Sequence, residues 1–304
     1  MTKLTGLYAA LPTPFNQDGS EIASDVLGAL VARNLGSGLD GLYVGGSTGE
    51  AFLMSLGERK ELLKLVAKTA DSCGTLIAHV GDPNPEVSAQ LARCAADQGY
   101  QAISAVPPFY YRYSIDEIVT HYSWLADQTD LPFLIYNFPD LSGVRWSVNE
   151  LARLLDNPQI VGVKNTCGDL FAFEALRRKV SNKVLLHGFD ETLLAGLALG
   201  ADGGIGSTYN LQPERILSLF DFHKAGQVEK AAALQAEANG LIEEMIAVGV
   251  LPALKYLLTR IGIPMGTCRK PFAPLSNADQ KRLDATAEMY LSGKNEAAQK
   301  VAKA

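Results

Sequence analysis

The sequence has few histidines and few cysteines. Its four cysteines are scattered without a CxxC pair, and none of its four histidines is spaced as a ligand pair. Scattered cysteines are typical of a reduced cytosolic protein, and isolated histidines disfavour a metal centre. We therefore expect no metal and a cytoplasmic location.

Long apolar runs and an excess of positive charge are also missing. No apolar stretch approaches the ~18 residues that a membrane span needs, and no apolar signal region follows Met1. The net charge is -6 and the pI is near 5.3, so nothing in the electrostatics favours nucleic acid or an anionic membrane. We expect a protein whose partners are small molecules.

Short apolar strands instead alternate with helical patterns along the 304 residues. Strands are predicted at residues 7–11, 41–44, 75–80, 102–106, 133–136, 184–187 and 203–205, and in the stretch that carries Lys164. Each is followed by a helical pattern, which predicts an α/β fold, a (β/α)8 TIM barrel. An open doubly wound sheet would normally have a Gly-rich phosphate turn after its first strand, and Pro12-Thr13-Pro14 is not one.

Three further helical patterns follow the eighth unit, near residues 228–247, 251–261 and 278–291. No linker or low-complexity tract separates them from the preceding chain. We expect a barrel over residues 1–225 and a C-terminal helical extension over 226–304 that packs on it as a single structural unit.

The stretch from Ile160 to Thr166 places Lys164 at the end of an apolar strand that parallel neighbours would bury. Burial disfavours the charged amine and lowers its pKa, and a free amine is what Schiff-base chemistry on carbonyls requires. The alternative is a strand-end lysine that extends to solvent or pairs with a carboxylate.

Other polar residues share the same end of the barrel, because the carboxyl ends of barrel strands meet at one mouth. Each has a structural alternative. Tyr136 fits a proton-transferring phenol or a core tyrosine. Asp190 and Glu191 fit a polyol-binding pair or a helix N-cap pair. The hydroxyl-rich turn 45–49 fits an anion nest or simply a tight turn, and 203–207 is a weaker candidate for phosphate.

These same residues carry a family resemblance over essentially the whole chain. The sequence resembles the pyruvate-dependent class I aldolases, the family of N-acetylneuraminate (sialic acid) lyases and dihydrodipicolinate synthases, and within it the bacterial lyases are most similar. The motifs that carry the resemblance are Gly45-Gly46-Ser47-Thr48-Gly49-Glu50, Tyr136-Asn137-Phe138-Pro139, Gly162-Val163-Lys164, Gly188-Phe189-Asp190-Glu191, Gly203-Gly204-Ile205-Gly206-Ser207 and Cys268-Arg269-Lys270-Pro271-Phe272.

The resemblance implies a role for each site residue. Lys164 would form the Schiff base and Tyr136 would move protons. The pyruvyl carboxylate would be held by Ser47 and Thr48. The sugar chain would be held by Thr166, Gly188, Asp190, Glu191 and Ser207.

It also implies reversible cleavage of N-acetylneuraminate to pyruvate and N-acetylmannosamine, without metal or organic cofactor, in a homotetramer with the Tyr110 region near a neighbouring subunit. Synthases carry an arginine where this chain has Leu141, which argues against a dicarboxylate acceptor. Two alternatives stay open: an aldolase or dehydratase for other 2-keto-3-deoxy sugar acids, and a non-catalytic barrel that binds pyruvate or sialic acid.

Overall fold

The computed structural model describes residues 4–291, and its centre is a closed barrel of eight parallel strands. Neighbouring strands along the chain are hydrogen-bonded neighbours in the barrel, and the eighth closes onto the first. The strands are β1 (Gly6–Ala10), β2 (Gly41–Val44), β3 (Thr75–His79), β4 (Ala102–Ala105), β5 (Phe133–Asn137), β6 (Ile160–Asn165), β7 (Val184–His187) and β8 (Gly203–Gly206). The predicted (β/α)8 barrel is confirmed.

Helices connect the strands on the outside and continue after the eighth strand. They are α1 (Ser24–Gly36), α2 (Leu56–Ala70), α3 (Pro85–Asp97), α4 (Ile115–Ala126), α5 (Pro139–Ser142), α6 (Val148–Leu154), α7 (Leu170–Lys179), α8 (Leu193–Ala198), α9 (Pro213–Lys224), α10 (Val228–Val248), α11 (Val250–Arg260) and α12 (Asn277–Tyr290). The last three are the predicted extension, and the domain boundary near residue 225 stays a prediction. Within residues 4–291 no helix is long and apolar enough to cross a bilayer.

Local sequence signals explain where several helices begin. In four helices of the described chain, a serine at the N-cap accepts a hydrogen bond from the N3 backbone, while the N3 carboxylate accepts one from the serine backbone. Such a cap contributes about 0.5–2 kcal/mol to helix stability. The four pairs are Ser55 with Glu58, Ser114 with Glu117, Ser147 with Glu150 and Ser276 with Asp279.

Strand alternation divides the core into two parts. One set of side chains packs between the sheet and the helices, and the other fills the barrel interior, where Tyr8, Tyr43, Ile77, Leu134 and Leu186 are all buried. The interior is therefore a packed core whose uppermost layer, at the carboxyl ends of the strands, forms the floor of any site at the mouth.

The extension is fixed to the barrel by a buried ion pair. Lys255 of α11 pairs with Glu50 in the loop after β2, and both side chains are inaccessible to solvent. The backbone N–H of Arg269 donates to Glu50 Oε2 at 2.7 Å, and the Arg269 guanidinium lies over the ring of Phe15. Because removal of one member of a buried pair leaves an uncompensated charge, loss of either Lys255 or Glu50 should destabilise the contact between α11 and the loop after β2.

Candidate functional site

All nine residues selected from the sequence line one cavity of about 390 Å³ at the carboxyl ends of the strands. The barrel brings them together from five different strand ends and the loops that follow. They are Ser47, Thr48, Tyr136, Lys164, Thr166, Gly188, Asp190, Glu191 and Ser207. The roles assigned to them stay predictions, but the expectation that they share one site matches the geometry.

Lys164 lies near the end of β6 with only 4% of its surface exposed. Its Nζ lies 3.9 Å from the ring centroid of Tyr136 and 4.0 Å from that of Tyr43. Burial lowers the pKa of the amine to about 7, although the nearby carboxylate of Asp190 opposes the shift. At neutral pH a large fraction of the amine is therefore free to act as a nucleophile.

Tyr136 is the partner of Lys164 across β5 and β6, so the parallel register places the phenol beside the amine. Burial raises the pKa of Tyr136 to about 12, while the nearby hydroxyl groups of Ser47 and Thr166 oppose the shift. The phenol is consequently protonated at neutral pH, and the neighbouring hydroxyls provide a route by which its proton can be exchanged.

Gly188 leaves room for one of those hydroxyls. A Cβ at this position would overlap Oγ1 of Thr166, so a side chain at 188 would displace the hydroxyl from the cavity wall. The structure therefore gives Gly188 a steric reason to be glycine, beyond the contact with a sugar chain that the resemblance implies.

Ser47 and Thr48 begin a short 3-10 turn, Ser47–Gly49, directly after β2. The first N–H groups of such a turn have no carbonyl within it to bind, and together with the two hydroxyls they offer donors to an anion. Gly46, the residue before the turn, lies against the ring of Tyr43 so closely that a Cβ there would meet the ring at 2.6 Å. The turn is thus packed down onto the barrel interior.

Asp190 and Glu191 occupy a 3-10 turn, Asp190–Thr192, and α8 begins after it at Leu193. The N-cap alternative is wrong for both residues, because Thr192 is the N-cap of α8 and no side chain caps either the turn or the helix. Oδ2 of Asp190 instead accepts hydrogen bonds from the N–H of Thr208 at 2.8 Å and from its hydroxyl at 2.6 Å. Burial raises the pKa of Asp190 to about 6, and the two Thr208 hydrogen bonds oppose that shift. Glu191 is half-buried and faces the cavity.

Two parts of the site were not predicted from the sequence. Tyr43 lies beside Lys164 under the cavity, with its hydroxyl donating to Oγ of Ser104 at 3.0 Å. An apolar wall from α10, α11 and the segment after it faces the polar residues. Its residues are Ile242, Ile246, Val250, Leu251, Leu254 and Phe272. The alternation of inward and outward side chains along β2 was a weak indication that Tyr43 faces the barrel interior. The apolar wall could not be found in this way, because it depends on helices that pack over long sequence separations.

Asn165 does not face this cavity. It alternates with Lys164 and Thr166 along the strand, so its side chain points to the other side of β6, where its Oδ1 accepts from Nδ2 of Asn137 at 2.7 Å. Asn165 and Cys167 line a separate pocket of about 160 Å³. Neither side chain is placed to contact a substrate at Lys164.

The cavity at Lys164 is not the largest in the molecule. A cavity of about 1100 Å³ lies between the loop after β1 and the segment before α12. Its buried cation, Lys255, is paired with Glu50, and burial raises the pKa of its Cys268 thiol to about 12, so that thiol is protonated. Since neither group is a free nucleophile, we place the chemistry in the smaller cavity.

Charge in the smaller cavity is limited. Of its lining residues, all of which lie in the described part of the chain, Lys164 is the one cation. Across residues 4–291, no three His, Cys, Asp or Glu side chains group as metal ligands. A phosphate at the end of β8 would thus have no cation beside it other than Lys164, which disfavours the phosphate alternative.

Known proteins are similar to this chain over almost its whole length. Residues 3–290 match the dihydrodipicolinate synthetase family. The N-acetylneuraminate lyase of Rhizobium meliloti (strain 1021) is 46% identical over 277 residues, 91% of this chain and 92% of that protein. That of Salmonella typhimurium (strain LT2) is 44% identical over 295 residues, 96% of this chain and 98% of that protein. Among solved structures, CdNal from Clostridium difficile in complex with mannosamine has a TM-score of 0.93 and 35% identity, over 95% of this chain and all of that one.

The resemblance found in the motifs is therefore confirmed by whole-chain similarity, which extends through the barrel and the extension. Sequence identity well above 30% over almost the full length of both proteins, together with the family match over residues 3–290, shows the membership. The chain belongs to the dihydrodipicolinate synthetase family.

Proposed function

We propose that the protein is a class I aldolase that reversibly cleaves N-acetylneuraminate to pyruvate and N-acetylmannosamine through a Schiff base on Lys164. The observation that carries the proposal is a buried amine with a pKa of about 7 beside a protonated phenol, in a cavity that also holds a hydroxyl turn and two carboxylates. Similarity to relatives named N-acetylneuraminate lyase supports the substrate.

The first step joins the substrate to the enzyme. Ser47 and Thr48 bind the carboxylate of the open-chain sugar acid, which sets its C2 ketone beside Nζ of Lys164. The free amine adds to C2, and loss of water gives a protonated imine. The imine nitrogen then serves as the electron sink, so the proposed chemistry requires neither a metal nor an organic cofactor.

The second step breaks the C3–C4 bond. The C4 hydroxyl gives its proton to the oxygen of Tyr136 while the phenolic proton passes through the Ser47 hydroxyl to the substrate carboxylate that Ser47 binds. The bonding electrons move from C3–C4 into the imine and form an enamine, and C4 becomes the aldehyde of N-acetylmannosamine. Protonation at C3 and hydrolysis of the imine release pyruvate and restore the lysine.

The remaining cavity wall suits a polyhydroxylated tail. Carboxylate oxygens of Asp190 and Glu191 accept hydrogen bonds from hydroxyl groups, and the hydroxyls of Thr166 and Ser207 both donate and accept. Leu141 lines the same cavity, and no second cation is available among the lining residues to neutralise another carboxylate. A dicarboxylate acceptor would therefore be poorly accommodated.

Borohydride reduction in the presence of pyruvate, followed by peptide mass mapping, tests the mechanism. We expect a reduced pyruvyl adduct on Lys164. A protein that binds pyruvate without forming this adduct would be a non-catalytic barrel. Turnover of 2-keto-3-deoxygluconate equal to that of N-acetylneuraminate would contradict the proposed substrate.

The pKa of Lys164 predicts the pH dependence of imine formation. Because protonated amine cannot attack the ketone, the initial rate of trapping should rise with pH through about 7 and level off above it. An unperturbed lysine would instead give a rate that rises until pH ~10.4. A trapping midpoint above pH 9, measured at saturating pyruvate and constant ionic strength, would contradict the assignment.

Substitution of the two carboxylates should separate tail binding from pyruvate capture. We expect Glu191→Ala to raise the KM for N-acetylneuraminate about tenfold, because charge-assisted hydrogen bonds to the tail are lost. The pyruvate concentration that half-saturates trapping should not change. Asp190→Ala should have the same effect on KM and also destabilise the fold by about 1–3 kcal/mol, since the N–H and hydroxyl of Thr208 lose their acceptor.

Thermal unfolding of both variants provides the control for these effects. Glu191→Ala should have the unfolding temperature of the wild type, whereas Asp190→Ala should unfold at a lower temperature. Loss of pyruvate trapping in Glu191→Ala would show that this residue serves the reacting end of the substrate and would contradict a tail-binding role.

We also propose a homotetramer in the cytoplasm. In the loop after β4, Tyr110 is 87% exposed and its ring meets that of Tyr111 edge to face. Exposed aromatic rings of this kind suit burial against another copy of the chain. The four cysteines, all within the described residues, are unpaired, which favours a reducing compartment. Sedimentation equilibrium should give four times the 32.6 kDa of one chain, and a monomer mass would contradict the assembly.

A further inference from the structure

His79, the last residue of β3, is buried beneath the site without lining its cavity. Its Nδ1 lies 3.0 Å from the carbonyl oxygen of Gly45, and its Nε2 lies 3.4 Å from the backbone nitrogen of Val106. A carbonyl only accepts and an N–H only donates, so Nδ1 carries the proton and Nε2 accepts. The two partners together fix both the tautomer and the plane of the ring.

The Gly45 carbonyl is the point where β2 enters the hydroxyl turn. Gly45 has a φ of +71°, in the left-handed region of backbone conformation, which favours glycine. The next carbonyl, that of Gly46, accepts hydrogen bonds from the N–H of Gly49 at 3.0 Å and from the N–H of Ala51 at 3.3 Å. These two bonds close the turn that contains Ser47 and Thr48. Rotation of the Gly45 peptide would therefore move both hydroxyl residues.

Aromatic rings hold His79 in place from the other sides. Its ring meets that of Tyr136 at 90° with centroids 5.9 Å apart, and that of Phe52 at 87° and 6.0 Å. Tyr43 lies against it at 6.2 Å. His79 thus contacts the phenol of the site through its ring and the hydroxyl turn through its Nδ1, without reaching the cavity itself.

We propose that His79 is a positioning residue: its Nδ1–H···O=C hydrogen bond to Gly45 sets the turn in which Ser47 and Thr48 receive the carboxylate of the keto acid. The inference rests on the proposed function and adds a determinant of pyruvate affinity to it. Its role is geometric and carries no charge. Burial, and after it the neighbouring Arg59 and Lys164, hold the pKa of His79 well below its usual value, so the ring is neutral.

Asparagine and glutamine at position 79 form a matched pair for the test. The side-chain nitrogen of asparagine can occupy roughly the place of Nδ1 and donate to Gly45, whereas the glutamine amide reaches the place of Nε2. We expect His79→Asn to keep the half-saturating pyruvate concentration within about threefold of wild type. His79→Gln and His79→Leu should raise it about tenfold, the cost of one lost buried hydrogen bond.

The trapping rate at saturating pyruvate should change much less than this half-saturating concentration, because Lys164 and Tyr136 are still in place. Thermal unfolding should be measured for each variant. A purely structural role would lower the unfolding temperature of all three variants without separating Asn from Gln in pyruvate affinity, and that result would overturn the inference.

A measurement on the unmodified protein covers the case in which the variants do not fold. In ¹⁵N spectra of histidine-labelled wild type, His79 should be the Nδ1–H tautomer between pH 6 and 8, and an Nε2–H tautomer would overturn the inference. Wild type that forms no adduct would contradict the aldolase itself. Equal behaviour of the Asn and Gln variants beside a trapped wild type would overturn only the role of His79.

Discussion

Lys164→Ala is expected to abolish cleavage of N-acetylneuraminate, with turnover falling by at least about 10,000-fold, because no other amine can form the imine. Of the residues that line the cavity, none but Lys164 carries an amine, and all of them belong to the described chain. Borohydride with pyruvate should leave no adduct on the variant. Turnover and mass mapping measure the two outcomes independently.

Lys164→Met is the control for folding. Methionine keeps most of the side-chain volume against the rings of Tyr43 and Tyr136 and removes a buried amine that pairs with no carboxylate of residues 4–291. We expect this variant to unfold at or above the wild-type temperature, since an amine desolvated without a close partner is replaced by an apolar group. Measurable cleavage by either variant in its folded form would end the Schiff-base mechanism.

The sequence sufficed for the residues whose position follows from a strand end. An apolar run ending in a polar residue places Lys164 and Tyr136 at the barrel mouth, whatever the details of packing, because all carboxyl ends of the strands meet there. The same rule found the hydroxyl turn after β2. These predictions depend only on local pattern and on closure of the barrel, which the structure confirms.

Other features depend on contacts that no local pattern contains. Asp190 accepts a hydrogen bond from Thr208, which lies 18 positions further along the chain. The sequence around Asp190 could therefore not distinguish a helix cap from a site residue. The apolar wall requires α10 and α11 to return over the barrel mouth, and their own periodicity does not specify that docking. Prediction of Tyr43 as part of the site would have required knowing which face of β2 points into the barrel. The role of Asn165 was not predicted, and the structure places its side chain on the opposite face of β6 from Lys164.

Tyr136→Phe should lower kcat for cleavage about 100- to 10,000-fold, because a phenyl ring cannot relay the proton of the C4 hydroxyl when the C3–C4 bond breaks. The KM for N-acetylneuraminate should change much less. Pyruvate trapping on Lys164 should persist, since the ring that lies 3.9 Å from Nζ is retained and Ser47 and Thr48 still hold the carboxylate. Comparison of steady-state cleavage with trapping at saturating pyruvate separates the two steps.

Tyr43→Phe is the matched control, because the two rings lie 4.0 and 3.9 Å from Nζ of Lys164 and only the Tyr136 hydroxyl is placed for proton transfer. The Tyr43 hydroxyl donates to Oγ of Ser104 at 3.0 Å, away from the cavity. Removal of the Tyr43 hydroxyl should lower the free energy of unfolding by about 1 kcal/mol and should reduce kcat only slightly. Equal losses of kcat in the two variants would indicate that both phenols act by packing against Lys164. A rise in KM with unchanged kcat in Tyr136→Phe would make Tyr136 a binding residue, and the proton would then have to leave through another group.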